Sequence, residues 1–199
     1  MINEQRMNWT IFINPFRAIP DKLLMLLGII SFIIGCYLSY HHQVIYDGIF
    51  DVHKHPDILF SQAFTANIVN IVIFSILFFA FGRTINPKIR MIDVLNTALI
   101  ARIPIYLSVP LIDIPVIKRI TENIMSQLDT ISQLKLDTAD LIALIIFSSV
   151  TLLLLVYSIT LMVTGFRTAS NMKKLQQYVV FAVLIIIAEV IAKWIVSMI

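Results

Sequence analysis

Five long apolar runs constrain this chain more than any other feature. They cover about 23–40, 62–81, 94–112, 141–163 and 178–199. Each is close to the ~17–25 residues that a helix needs to cross a bilayer. A chain of 199 residues cannot hide that much apolar surface in one water-soluble core. Charged residues make up only 14% of it, against ~25% in ordinary soluble domains. The expected fold is all-α: one polytopic membrane bundle of about five helices, filling 1–199 as a single domain.

The spans differ in character. In the first, Gly28, Ser31, Gly35 and Ser39 fall three or four apart and share a face. Small side chains there would let another helix approach closely. The second carries Asn67 and Asn70 on one face. The third holds Arg102, Pro104 and Pro110, with Pro115 just beyond. Proline removes a backbone donor and clashes with the preceding turn, so this helix should be kinked or broken.

Positive residues give an orientation. With the amino terminus inside, that side holds nine: Arg6, Arg17, Lys22, Arg83, Lys88, Arg90, Arg167, Lys173 and Lys174. The other side holds four: Lys54, Lys118, Arg119 and Lys135. An excess of Lys and Arg marks the cytoplasmic side. The expectation is amino terminus in, carboxyl terminus out.

Two connecting segments carry apolar stripes. Trp9, Phe12, Ile13, Phe16 and Ile19 recur near the amino terminus, interrupted by Pro15. Ile117, Ile120, Ile124, Leu128 and Ile131 recur between the third and fourth spans. Such stripes either lie along the membrane surface or pack over the bundle.

The first 22 residues contain Glu4 and Asp21, and no small-residue cleavage site follows the first run, which argues against a cleaved signal peptide. Ile33-Ile34-Gly35-Cys36 resembles a lipoprotein processing box, but a buried helical cysteine is the expected reading, because four more spans follow. With Cys36 the sole cysteine, no intrachain disulfide can form.

Charges inside apolar runs are costly and need partners. Arg102 lies near the middle of the third span, and Glu189 and Lys193 lie one turn apart in the fifth. On parallel spans their depths differ by only a few ångströms at ~1.5 Å per residue. An Arg102–Glu189 pair bracing the bundle is therefore expected, with Lys193 competing for the same carboxylate. The alternative use of this network is a transport pathway.

All four histidines, His41, His42, His53 and His55, fall in the first outer loop. An extended Asp51-Val-His-Lys-His-Pro-Asp57 would point alternate side chains the same way. Asp51, His53, His55 and Asp57 then form a weak candidate metal set within the His41–Asp57 loop. The expected reading is a solvated polar loop outside the membrane, with no metal or other cofactor.

There is no Walker loop, dinucleotide glycine pattern, Gly-x-Ser-x-Gly elbow or His-Glu-x-x-His motif. No segment interleaves basic and aromatic residues as a nucleic-acid groove would. A non-enzymatic protein is expected, with membrane lipids, protein partners or further copies of itself as partners, and no nucleic acid.

Several pieces in order resemble a known family: Asn14-Pro-Phe-Arg17, Tyr46-Asp-Gly-Ile-Phe-Asp-Val-His53, Lys88-Ile-Arg-Met-Ile-Asp-Val94, Ala101-Arg-Ile-Pro104, and Gly165-Phe-Arg-Thr-Ala-Ser170 read as a turn into the last span. They resemble bacterial members of the Yip (Ypt/Rab-interacting) membrane proteins. The resemblance implies a five-span domain, amino terminus cytoplasmic, in the bacterial inner membrane. It also implies a role in membrane organisation or trafficking. Only about 22 residues precede the first span, so Rab binding, which eukaryotic relatives show, does not carry over.

Overall fold

The computed structural model describes residues 11–126 and 136–199. In these, the chain forms a short turn of helix, Pro15–Ala18 (α1), then α2 (Asp21–His41), a hairpin of β1 (Val44–Ile45) and β2 (His53–Lys54), and α3 (Phe60–Ile85). There follow α4 (Met91–Ala101), α5 (Ile103–Ile112), α6 (Pro115–Ser126), α7 (Thr138–Ser170) and α8 (Leu175–Val196). Five stretches are long and apolar enough to span a membrane: α2, α3, α4 with α5, α7 and α8. This is an all-α, integral membrane bundle.

The ends of the spans follow local chemistry. Pro20 precedes α2, where its missing N–H costs nothing, and Asp21 opens the helix as an acid at the positive end of its dipole. Gln62 accepts the Leu59 N–H at the start of α3. Gln177 accepts the N–H groups of both Lys173 and Lys174 at the start of α8. These groups have no partner within their own helix.

The third span is broken, as its prolines require. The break falls at Arg102, and Pro104 opens α5. Ser158 of α7 donates to the Ala101 carbonyl beside the break at 2.6 Å. Pro110 lies in the last turn of α5, and Pro115 begins α6.

The fourth span departs from expectation. Its helix runs 33 residues, to Ser170. Residues 165–170, read as a turn from sequence, are helical. The stop comes at Asn171, in the left-handed conformation at φ 58°, whose N–H donates to the Arg167 carbonyl. Asparagine tolerates that conformation better than most residues. Gly165 is used for close approach instead: a Cβ there would come 2.6 Å from Thr97 and 2.8 Å from Phe16.

Two glycines of α2 lie against the third span. A Cβ on Gly28 would lie 2.7 Å from Leu99 Cβ, and one on Gly35 would lie 2.7 Å from the Tyr106 ring. Ser39 is buried, and Ser31 turns its hydroxyl back to the Gly28 carbonyl. Toward the amino-terminal end the core is aromatic. Phe78 stacks on Phe74 at 4.2 Å between ring centroids and meets Phe166 and Phe181 edge-on.

Both connecting segments lie on the bundle. Ile117 and Ile120 of α6 are buried, while Lys118, Arg119 and Glu122 are exposed. Arg119 pairs with Asp140 at the start of α7. Leu128 and Ile131 of that stripe lie outside the described residues, as does Trp9 of the amino-terminal one. The rest of the amino-terminal segment runs along α7, where Tyr157 and Thr164 donate to the carbonyls of Phe12 and Ile13.

Candidate functional site

The connection between α2 and α3 is the main surprise. Read as a solvated polar loop, it is instead folded into the end of the bundle where α2 finishes and α3 begins. Val44, Ile45, Tyr46, Ile49 and Ile58 are all buried. The polar appearance comes from Asp and His residues on its outer side. The apolar residues between them supply the inner side.

Backbone buried among apolar helices needs partners for its N–H and C=O groups. The spans supply them through a ring of polar side chains. Arg102 Nη1 donates to the carbonyls of Gly48 and Ile49, at 3.3 and 3.0 Å. Glu189 Oε2 accepts the N–H groups of Ile49 and Phe50, at 2.7 and 3.2 Å. Asn70 donates to the Tyr46 carbonyl at 2.6 Å, and Ser39 to the Val44 carbonyl at 2.5 Å. Four spans thus hold one short stretch of loop.

Arg102 is 2% exposed. Its guanidinium lies over the rings of Tyr46 and Tyr106, 5.3 and 5.6 Å from their centroids. Its Nε donates to the Tyr106 hydroxyl, which donates to Asn67 Oδ1, and Asn67 Nδ2 donates to Cys36 Sγ. The single cysteine is thus a buried side chain in a polar chain.

The expected Arg102–Glu189 ion pair is not formed. Both groups are engaged by the same loop backbone, which lies between them, and Arg102 Nη2 is left without a partner among the described residues. Nor does Lys193 share the Glu189 carboxylate: it pairs with Asp51. Sequence depth placed the three charges at similar levels, but the spacing could not show that the loop would reach them. Arg102 stands ten residues from the Ile112 end of α5, about 15 Å at the helical rise. Glu189 stands seven from the end of α8, about 10 Å.

Gly48 is required by this arrangement. A Cβ there would fall 1.9 Å from Glu189 Oε1. The glycine lets the carboxylate sit directly against the backbone.

The outer side of the loop is charged. His53 Nδ1 lies 2.8 Å from Asp47 and 3.7 Å from Asp51. Asp47 beside it pushes the His53 imidazole above its ordinary pKa. Burial raises Asp51, but Lys193 and His53 outweigh that and hold its carboxyl below the usual range. Asp113, at the end of α5, lies 2.6 Å from His42 and 2.9 Å from Lys54. Burial would raise it too, and these two partners pull it lower.

Of the candidate metal residues, Asp51 and His53 come together. His55 and Asp57 do not join them, because the chain bends where Asp57 adopts φ 61° and strict alternation ends. Asp47, which extended spacing did not pick out, takes their place. One donor atom each from Asp47, Asp51 and His53 lies within 4.8 Å of the others. That donor set suits a divalent cation, but the Lys193 ammonium already pairs with one of its two carboxylates, that of Asp51.

The sequence singled out Asn67, Asn70 and the buried charges. It gave less warning of Tyr46, Gly48 and Tyr106. Arg102 with Pro104, marking a polar break in a span, was the strongest available signal that something non-helical must meet it.

The fold and its polar core define the class: a five-span helical membrane protein with the loop between its first two spans locked into its bundle. Compared with family models, with curated proteins and with solved structures, the chain shows no match.

Proposed function

We propose that this chain is a non-enzymatic, Yip-like protein of the bacterial inner membrane that acts through protein partners or lipids in membrane organisation or a trafficking-type role. Its amino terminus faces the cytoplasm and its carboxyl terminus the outside.

One observation carries this reading. The first twenty residues of α7, Thr138–Tyr157, bury none of their side chains, while Ile145, Leu152 and Leu153 are among the most exposed. The outward face of this helix has no cover from the described residues of this chain. Beside it, a groove of about 460 Å³ opens between α7, α5 and the loop, walled by Phe50, Ile105, Ile112, Phe147 and Leu155. Lipids or a partner's helices suit such a surface. The buried charges support the same reading. Arg102 and Glu189 are engaged by backbone groups, which suits a brace better than a pathway for a substrate.

The test is affinity purification in mild detergent, with mass spectrometry of bound proteins and lipids. A specific protein or lipid should accompany the wild type and be lost from Ile145→Asn/Leu153→Asn. Ion flux in liposomes that depends on Arg102 would overturn this reading in favour of transport. Reporter fusions at Ile2 and after Ile199 test the orientation; both reporters on one side of the membrane would overturn it.

A second reading rests on the Asp47–Asp51–His53 cluster: a metal-binding membrane protein. Elemental analysis of the purified protein tests it.

A further inference from the structure

We propose that the amino-terminal end of the bundle holds a binding site for a primary ammonium, as carried by the head group of an aminophospholipid. A cavity of about 120 Å³ lies there between α1, α2, α4 and α7. Phe16, Asp21, Arg90, Asp93, Asn96 and Thr168 are among its walls. Arg90 bridges the two acids, at 2.6 Å from Asp21 and 2.5 Å from Asp93. Two carboxylates against one guanidinium leave the site with a formal charge of −1. A single cation makes it neutral.

Asn96 says what kind of cation. It is 2% exposed, and its Oδ1 has no hydrogen-bond partner among the described residues. The amide cannot be turned over to cure this. Its Nδ2 donates to the Asp21 carbonyl at 3.2 Å, and a carbonyl accepts only from a donor. Asn96 is itself one of the cavity's lining residues, so this free oxygen stands beside the cavity and can accept an N–H or O–H. An ammonium carries three donors in a compact volume, enough for Asn96 and both carboxylates. A quaternary ammonium has none and is larger. Such groups are held by cages of several aromatic rings, and Phe16 is a single ring here.

The position fits a lipid. Asp21 is the first residue of one spanning helix, Arg90 immediately precedes another, and Asp93 is its third residue. That is the level of the head groups, just beyond the hydrocarbon. Arg90, 60% exposed, offers a guanidinium beside the cavity to which a phosphate next to an ethanolamine can bind. The site extends the lipid arm of the proposed function to the other end of the bundle. The two fail separately, because the α7 substitutions leave this cavity untouched.

The full-length protein, purified and loaded with phosphatidylethanolamine or with phosphatidylcholine of the same acyl chains, is compared by native mass spectrometry. Wild type should retain the ethanolamine lipid about tenfold better. Asn96→Leu removes the acceptor, and Asp21→Asn removes one charge at a half-exposed position that folding tolerates. Each should bring the ratio near one. Competition by millimolar soluble ethanolamine would assign the site to a free amine; retention of the lipid in its presence would assign it to the lipid. Equal retention of both lipids by wild type, or an unchanged preference in Asp21→Asn, would overturn the proposal.

Discussion

Arg102 and Glu189 hold one peptide segment from two sides. The guanidinium takes the carbonyls of Gly48 and Ile49, and the carboxylate takes the N–H groups of Ile49 and Phe50. Opposite charges on two spans are thus joined through peptide dipoles and not through a salt bridge. The backbone that they fix solvates both charges in part, and Arg102 Nη2 stays without a partner among the described residues.

The first prediction concerns that relationship. Arg102→Met or Glu189→Leu leaves buried backbone groups without partners, a loss of about 1–3 kcal/mol per group. Either change should release the loop and lower stability in detergent. Once the loop has gone, the second substitution has little left to break. The double variant should therefore cost less than the two singles together, with limited proteolysis cutting at 43–59 in all three. Full additivity in a double-mutant cycle, with the loop still protected, would contradict a shared loop.

The second concerns Gly48. Gly48→Ala places a methyl group where Glu189 Oε1 now lies, so the carboxylate or the loop must move. The variant should lose the hydrogen bonds of Ile49 and Phe50 and unfold at a lower temperature. In a Glu189→Ala background the three atoms nearest to that methyl group, all of the Glu189 carboxylate, are gone. The drop in Tm on adding Gly48→Ala should be clearly smaller there. An equal drop in both backgrounds would mean that the glycine serves the loop's own conformation.

The spans and the break at Arg102 were legible because they depend on local features: apolar run length, and proline within a run. The small-residue face of α2 was legible for the same reason, since Gly28 and Gly35 fall on one side by helical geometry alone. The loop was not. Val44, Tyr46 and Ile49 are interleaved with Gln43, Asp47 and Asp51, and such a mixture describes an exposed loop as well as a buried one. Burial was decided by partners far away in sequence. Arg102 and Glu189 lie 53 and 140 residues from Ile49. Composition showed that those charges needed partners, but not that backbone would provide them. Helix length was misjudged at Gly165 because glycine signals both a turn and a close helix contact.

The third prediction is a pH dependence. Asp47 raises the folded-state pKa of His53 above its ordinary value of 6.5. A raised folded pKa means that the protonated form is favoured by folding. The stabilisation is complete below the unfolded value, near 6.5, and is lost as pH rises through the higher folded value. Protection of the loop from proteolysis should therefore weaken above neutral pH, modestly, because His53 is 57% exposed. His53→Asn should remove the dependence. A loop that tightens as pH rises through this window would have the wrong sign.

The last prediction concerns metal at the same cluster. Asp47, Asp51 and His53 offer three donors within 4.8 Å, the number that an open zinc site uses. Lys193 opposes this. Its ammonium pairs with Asp51, and a divalent cation arriving there must displace it against charge repulsion. Wild-type protein should carry no stoichiometric zinc after purification and should bind added zinc weakly. Lys193→Met keeps the length of the side chain and removes the charge. It should tighten zinc binding by about tenfold or more, read by titration with a competing chelator. The gain should vanish in Lys193→Met/His53→Ala, because two carboxylates without the imidazole hold zinc poorly. If wild type already carries zinc that His53→Ala removes, the ammonium is no barrier and the metal reading gains at the expense of the lipid and partner one. If Lys193→Met binds no better than wild type, the three donors do not form a site, and the cluster serves to hold the outer side of the loop to α8.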